Sequence, residues 1–170
     1  MDRRRFIVAS TGQGLLLTPL AAALAATRMQ GSHAALAACG GKGDWPEGMA
    51  EIKWDRDTCS RCSMVISDRR FAAEMRGGEK GIVFKFDDIG CAMIWLREKA
   101  REFPWMAEPA TRLWVADAAG KGDRWLDARK ASFSGGAMSP MGYNQSAHAY
   151  AEGGSLPYEE MRQHVLAKGK

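Results

Sequence analysis

After its one Cys-x-x-Cys, formed by Cys59 and Cys62, the chain offers no second such pair and no paired histidines. A structural zinc site draws on four ligands, commonly from two such pairs, so the pattern argues against one. No basic stripe with interleaved aromatics appears, which removes the usual footprint of a nucleic-acid binder. The apolar stretch near the N-terminus falls short of the roughly 20 residues a bilayer-spanning helix needs. Residue identity reveals no internal repeat.

Net charge is also small once the N-terminus is set aside. Of 24 Lys and Arg, Arg3, Arg4, Arg5 and Arg28 lie in the first 39 residues, which leaves 20; of 20 Asp and Glu only Asp2 lies there, which leaves 19. The formal +4 of the whole chain therefore falls to about +1 over residues 40–170. A basic pI near 9.0 says little about that part. Its roughly 130 residues suit one domain able to bury its own core.

The N-terminus itself reads as a targeting segment and not as fold. Arg3-Arg4-Arg5-Phe6-Ile7 precedes a weakly hydrophobic centre diluted by Gly12, Gly14 and Thr18, which resembles a twin-arginine export signal; an ordinary secretory leader is the alternative. Leu36-Ala37-Ala38-Cys39 resembles a lipobox, with Cys39 as the residue that carries the lipid, and Gly40-Gly41-Lys42-Gly43 would follow as a flexible tether. Cleavage after Ala23-Leu24-Ala25 is the competing reading. The expected organisation is an export signal over 1–38, a tether over 39–50 and one domain over 51–170, on the periplasmic side and held to a membrane through an N-terminal lipid.

Within that domain, order is expected to begin near Ile52 or Trp54. Short apolar runs at Met64–Ile66 and Phe71–Met75 flank a turn at Ser67-Asp68 and read as strands. Ile82, Phe84 and Phe86 alternate with Val83 and Lys85, the period of a strand with one buried face. Asp87-Asp88 is a helix-start signal, and Ile89, Ala92, Met93, Leu96 and Ala100 recur at helical spacing up to Pro104. Arg112–Asp117 and Trp125–Phe133 read as a strand pair across Gly120-Lys121-Gly122. A glycine-rich loop, Ser134–Tyr143, leads to a short run at Ala147–Tyr150. Ser155, Pro157 and Glu159-Glu160 open a C-terminal helix reaching Leu166. Short strands around a central helix, with a helix at the end, predict a small α+β domain.

The chemistry concentrates in Cys59-Ser60-Arg61-Cys62-Ser63-Met64. Thiolates favour soft metals, and a Met thioether suits copper(I) far better than zinc. If Cys62 to Ile66 is extended, residues two apart share a face, and Cys62 and Met64 present their sulfurs side by side. A third ligand must then come from elsewhere. Met138-Ser139-Pro140-Met141-Gly142 holds two thioethers in a loop, with Met141 the stronger candidate, and His148 could supply a nitrogen. His164, in the C-terminal helix, shows no metal pattern. Outside the cytoplasm four cysteines invite disulfides, but setting Cys39 aside leaves Cys59, Cys62 and Cys91, an odd number. Cys91 reads first as a small buried hydrophobe and second as a ligand. Cys59 and Cys62 could also be a redox pair, but the residues after Cys62 read as a strand, where a redox site would place a helix N-terminus.

The run Asp57 to Asp68, then Arg70-Phe71-Ala72-Ala73, then Phe86-Asp87-Asp88-Ile89-Gly90-Cys91, then Met141-Gly142 resembles the NosL family over about residues 50–155. The resemblance implies an exported, often lipid-anchored protein that binds one copper(I) and passes it to nitrous oxide reductase or its assembly machinery. It also implies an α+β fold of two similar ββαβ units. By position, Cys62 and Met64 match the family's Cys-x-Met and Met141 its Met-Gly loop; Ser63 stands where the family commonly has glycine. The expected role is a copper(I) metallochaperone and not an enzyme, with Cys62, Met64 and Met141 or His148 as ligands and Cys59 as an additional thiol. The rivals are a thiol–disulfide oxidoreductase using Cys59 and Cys62, and a lipoprotein adaptor without catalysis.

Overall fold

The computed structural model describes residues 45–169, so the export signal, Cys39 and the start of the tether lie outside the described residues. The described chain is α+β. Strand β1 (Ala73–Gly77) turns back into β2 (Ile82–Phe86), helix α1 (Ile89–Glu98) and a single 3-10 turn (Pro104–Ala107) follow, and β3 (Arg112–Ala116) leads to β4 (Trp125–Asp127). Next come β5 (Ser132–Ser134), β6 (Ser146–His148), β7 (Leu156–Pro157) and helix α2 (Tyr158–Lys168). Two antiparallel sheets result, in the orders β2-β1-β3-β4 and β6-β5-β7. The first three strands and α1 follow a ββαβ order, whereas in the second sheet all three strands precede their helix. No helix among the described residues is long and apolar enough to cross a membrane.

Alternation along β1 explains how the first sheet is covered on both faces. Ala73 and Met75 join Phe86, Leu113 and Val115 beneath α1, whose Ile89, Met93 and Ile94 are fully buried there. Each such side chain contributes roughly 1.5–3 kcal/mol when removed from water. Ala72, Trp114 and Ala116 point the other way, against Met49, Ile52 and Ile66. Trp45, Trp54 and Trp125 stack over that second face with ring centroids 5.4–6.5 Å apart. Packed structure therefore begins at Trp45, earlier than the expected Ile52 or Trp54, because an indole large enough to cover the sheet sits inside the glycine-rich stretch.

Other boundaries differ for local reasons. Trp125–Phe133 is two strands in different sheets, since Asp127 closes a turn between them: its side chain accepts from Arg129 N at 3.0 Å and its carbonyl from Lys130 N and Ala131 N. The expected strand at Met64–Ile66 is reduced to one isolated bridge, Thr58 to Val65. Ser155 does not cap α2; its hydroxyl closes the Glu152–Ser155 turn, and Pro157 stands at the N-cap. Acidic Glu159 and Glu160 in the first turn still suit the positive end of that helix.

A candidate metal centre at the head of the central helix

The six-residue sulfur motif is a closed loop. Between the bridged Thr58 and Val65, Cys59 N donates to Met64 O at 2.8 Å and Ser63 N to Cys59 O at 2.9 Å. Ser63 holds φ at 61°, a left-handed conformation that side-chain-bearing residues adopt only at a cost. An extended Cys62–Ile66 segment, which would set Cys62 beside Met64, is therefore not what the backbone does. The loop is instead pinned to the outer edge of β2: Ser60 N donates to Lys85 O at 2.8 Å, and Lys85 N donates back to Ser60 Oγ at 3.2 Å. That clamp sets Cys59 and Cys62 beside the end of β2, where Phe86 gives way to Asp87.

Asp87 and Asp88 divide the work that a single helix-cap reading assigned to both. Asp88 is the N-cap of α1, accepting from Gly90 N at 2.8 Å. Asp87 turns the other way, toward sulfur. Cys62 Sγ lies 3.5 Å from each of its carboxylate oxygens. Cys91, in the first turn of α1, completes the group: one ligand atom from each of Cys59, Cys62, Asp87 and Cys91 lies within 4.8 Å of all the others. All three thiols are free. Cys59, Asp87 and Cys91 are 2%, 1% and 0% exposed, while Cys62 is partly open. This group can hold a metal ion.

Electrostatics within the cluster follow from crowding. Four groups that all become negative on losing a proton cannot ionise together at these separations. A hydrogen bond from the Cys91 thiol, then burial working against it, sets Cys59, which falls to about 4. Cys91 moves strongly up through that hydrogen bond and its burial. Burial, with Cys59 alongside, pushes Cys62 up to about 12 and Asp87 up to about 6. The four groups therefore share protons and do not carry four negative charges at once. Arg61 lies at the rim, with Nε and Nη2 on the Glu98 carboxylate at 3.2 and 3.1 Å and Nη1 on the Tyr143 hydroxyl at 3.2 Å.

The Met141 loop is tied to the same helix end. Ser139 Oγ donates to Asp88 Oδ2 at 2.5 Å and Met141 N to the same oxygen at 3.3 Å. Met141 and Cys62 both pack, partly buried, against the core that contains Cys59 and Cys91. Met64 is 47% exposed and Met138 82%. His148 is placed apart from the thiols, on β6, with Nε2 2.8 Å from Ser134 Oγ, and is not a member of the four-residue group. Cys39 lies outside the described residues. Sequence reasoning underweighted Cys91 and Asp87; the available signal was their spacing, since a residue just before an N-cap and one in the first helical turn flank the same helix end.

No protein-family model matches the chain, and no curated protein matches it. Among solved structures the chain is similar to the copper chaperone NosL from Shewanella denitrificans, at 16% identity over 69% of this chain and 88% of that one, with a TM-score of 0.47. A likeness of that degree carries no argument about ligand chemistry.

Proposed function

We propose that this chain is a copper(I) metallochaperone, exported and lipid-anchored through Cys39, that delivers its ion for maturation of nitrous oxide reductase. The observation that carries the copper reading is the position of Cys62, the one partly open member of a cluster of three free thiols. In the proposed site the Cys62 thiolate binds copper(I), completed by the thioether of Met141 and by that of Met64, which enters by its place in the Cys-x-Met motif and not through an extended backbone; soft sulfur ligands of this kind select copper(I). His148 is the weaker third-ligand candidate, because its ring already faces Ser134. The recipient rests on the resemblance to the NosL family alone, and the export route and the anchor on the resemblance of the N-terminal segment to a twin-arginine signal and a lipobox.

Transfer favours such a site. An ion held by few, accessible ligands can exchange them one at a time with an acceptor, whereas a closed shell would retain it. Cys59 serves as the neighbouring thiol to which the ion can shift. A thiol–disulfide oxidoreductase needs its accessible thiol to be the acidic one. Here the first thiol of the Cys-x-x-Cys, Cys59, is buried, only Cys62 is partly open, and the loop that carries both runs into a β-bridge and not into a helix, which supports a binding role over catalysis.

Anaerobic copper(I) titration of the full chain tests the site, with Cys62→Ala, Met64→Ala and Met141→Leu beside it. One equivalent should bind, and Cys62→Ala should lower the affinity at least tenfold. Copper affinity indifferent to both Cys62→Ala and Met64→Ala would overturn the site as drawn. Transfer of labelled copper from the loaded chain to the reductase assembly machinery tests the recipient; no transfer would remove that part of the proposal.

A further inference from the structure

We propose that the face of the first sheet covered by Trp45, Trp54 and Trp125 lies against the bilayer that holds the chain's lipid, as a second contact made by the protein itself. It rests on the anchor proposed at Cys39 and adds to it the side of the domain that meets the membrane.

The point where the chain enters the fold selects the side. Cys39 lies six residues before Trp45, and six residues reach at most about 20 Å. A lipid on Cys39 therefore holds Trp45 within that distance of the membrane. Trp45 stacks on Trp54 with ring centroids 6.5 Å apart and lies 5.4 Å from Trp125. Trp125 is buried beneath, and Trp45 and Trp54 form the half-buried outer layer. An indole has a broad apolar face and one polar N–H, and it settles at the level of lipid headgroups. The segment between these two residues is tied down on the sheet. Arg76 Nη1 donates to Gly48 O at 2.6 Å, Ala50 N to Glu74 Oε1 at 2.8 Å, and Lys85 Nζ to Glu51 O at 2.5 Å. The outer indoles are thus presented by a fixed strap.

Charge around them is nearly balanced. Lys53 and Arg56 stand on either side of Trp54 and Asp55. The Arg69 guanidinium sits over the Trp54 ring, 5.1 Å from its centroid, and the turn at Gly122, with Lys121 and Asp123 beside it, packs on the Arg69 stem. Cations so placed can reach lipid phosphates while their stems stay on apolar surface. Acids interspersed among them leave no strong basic field, so the indoles supply the attraction and the contact should resist salt. An orientation follows. Cys59 and Cys91 belong to the core on the α1 side of the sheet, and the tryptophans cover the opposite side. A domain resting on its tryptophans turns α1 and the thiol cluster away from the bilayer, where an acceptor can approach Cys62.

The chain purified from the membranes of expressing cells is reconstituted in vesicles of phosphatidylcholine with a minor share of phosphatidylglycerol. Part of the phosphatidylcholine is brominated near the top of its acyl chains, where bromine quenches indoles at headgroup depth. Tryptophan emission should be quenched, and the quenching should fall at least about threefold in Trp45→Phe/Trp54→Phe, which keeps the apolar bulk. Trp95→Phe/Trp105→Phe, on the α1 side, should leave it unchanged. Between roughly 0.05 and 0.5 M NaCl it should change less than about 1.5-fold. Unquenched parent emission, quenching retained in Trp45→Phe/Trp54→Phe, or quenching abolished by salt would each overturn the proposal. Mass spectrometry of the same sample reads the anchor separately. A lipid adduct on Cys39 with unquenched tryptophans overturns the docking face and leaves the anchor standing. A chain without the adduct overturns the anchor; the same vesicles are then added to that chain, and quenching that depends on Trp45 and Trp54 upholds the face, while its absence overturns it.

Discussion

Ser139 Oγ donates to Asp88 Oδ2 across 51 residues of sequence, at 2.5 Å, and this one hydrogen bond fastens the methionine loop to the head of α1. The same carboxylate also takes Gly90 N and Met141 N, so helix cap and loop anchor are one side chain. Asp88→Ala removes an N-cap, worth about 0.5–2 kcal/mol, and strands the buried Ser139 hydroxyl and the half-buried Met141 N. A total loss of about 2–4 kcal/mol in denaturant unfolding is expected. Asp88→Asn, which keeps an acceptor for the cap, should lose less than half of that. If Met141 is a copper ligand, Asp88→Ala should also weaken copper(I), because the loop is released.

Ser63 offers a test with the opposite sign. Its φ of 61° costs a side-chain-bearing residue about 1 kcal/mol or somewhat more, and glycine nothing comparable. Ser63→Gly should therefore raise stability by about 0.5–1 kcal/mol without loss of copper binding, and Ser63→Val should lower it by more than that. Chemical denaturation of both variants beside the parent decides it. A Ser63→Gly chain less stable than the parent would mean that the loop is not held in this conformation.

Gly90 and Tyr143 meet more closely than any side chain on Gly90 would permit. A Cβ at Gly90 would come 2.1 Å from Tyr143 Cγ, and Tyr143, fully buried, carries on its hydroxyl the guanidinium of Arg61. Gly90→Ala should destabilise by roughly 2–4 kcal/mol through overpacking, despite alanine's better helix propensity. The displaced ring should also disturb Arg61 at the rim of the thiol cluster. Thermal unfolding reads the first effect, and anaerobic copper(I) titration reads the second.

How much of this was legible beforehand depended on whether a feature was local. The strand Ile82–Phe86 and the helix from Ile89 were readable because their periods are written in adjacent residues. The Met64–Ile66 segment misled because three apolar residues cannot distinguish a strand from a loop whose conformation is set by a left-handed residue and by a clamp to Lys85. The CxxC and the methionine loop were visible as candidates, whereas the gathering of Cys59, Cys62 and Cys91 around Asp87 depends on which edge of β2 the loop pairs with. No pattern within a single segment records that.

Glu74 supplies the pH prediction. It points to the tryptophan-covered face of the first sheet, is 0% exposed, takes Ala50 N on Oε1 at 2.8 Å, and leaves Oε2 without a partner among the described residues. Burial first of all, opposed by that hydrogen bond and by Lys85 and Arg76, pushes its carboxyl up to about 7. A carboxyl whose folded value lies above its unfolded 4.5 binds the proton more tightly in the native state. Its contribution to stability is thus complete below about pH 4.5 and is lost as pH rises through about 7. The loss is on the order of 2–3 kcal/mol. Glu74→Gln keeps the shape and an acceptor for Ala50 N while removing the charge, so it should be the more stable chain at pH 8 and close to the parent at pH 5. Denaturant unfolding followed by the fluorescence of Trp45, Trp54 and Trp125, at the two pH values, measures both. If the parent and Glu74→Gln lose stability in parallel between pH 5 and 8, Glu74 is ionised in the fold and the buried face has found it a partner charge.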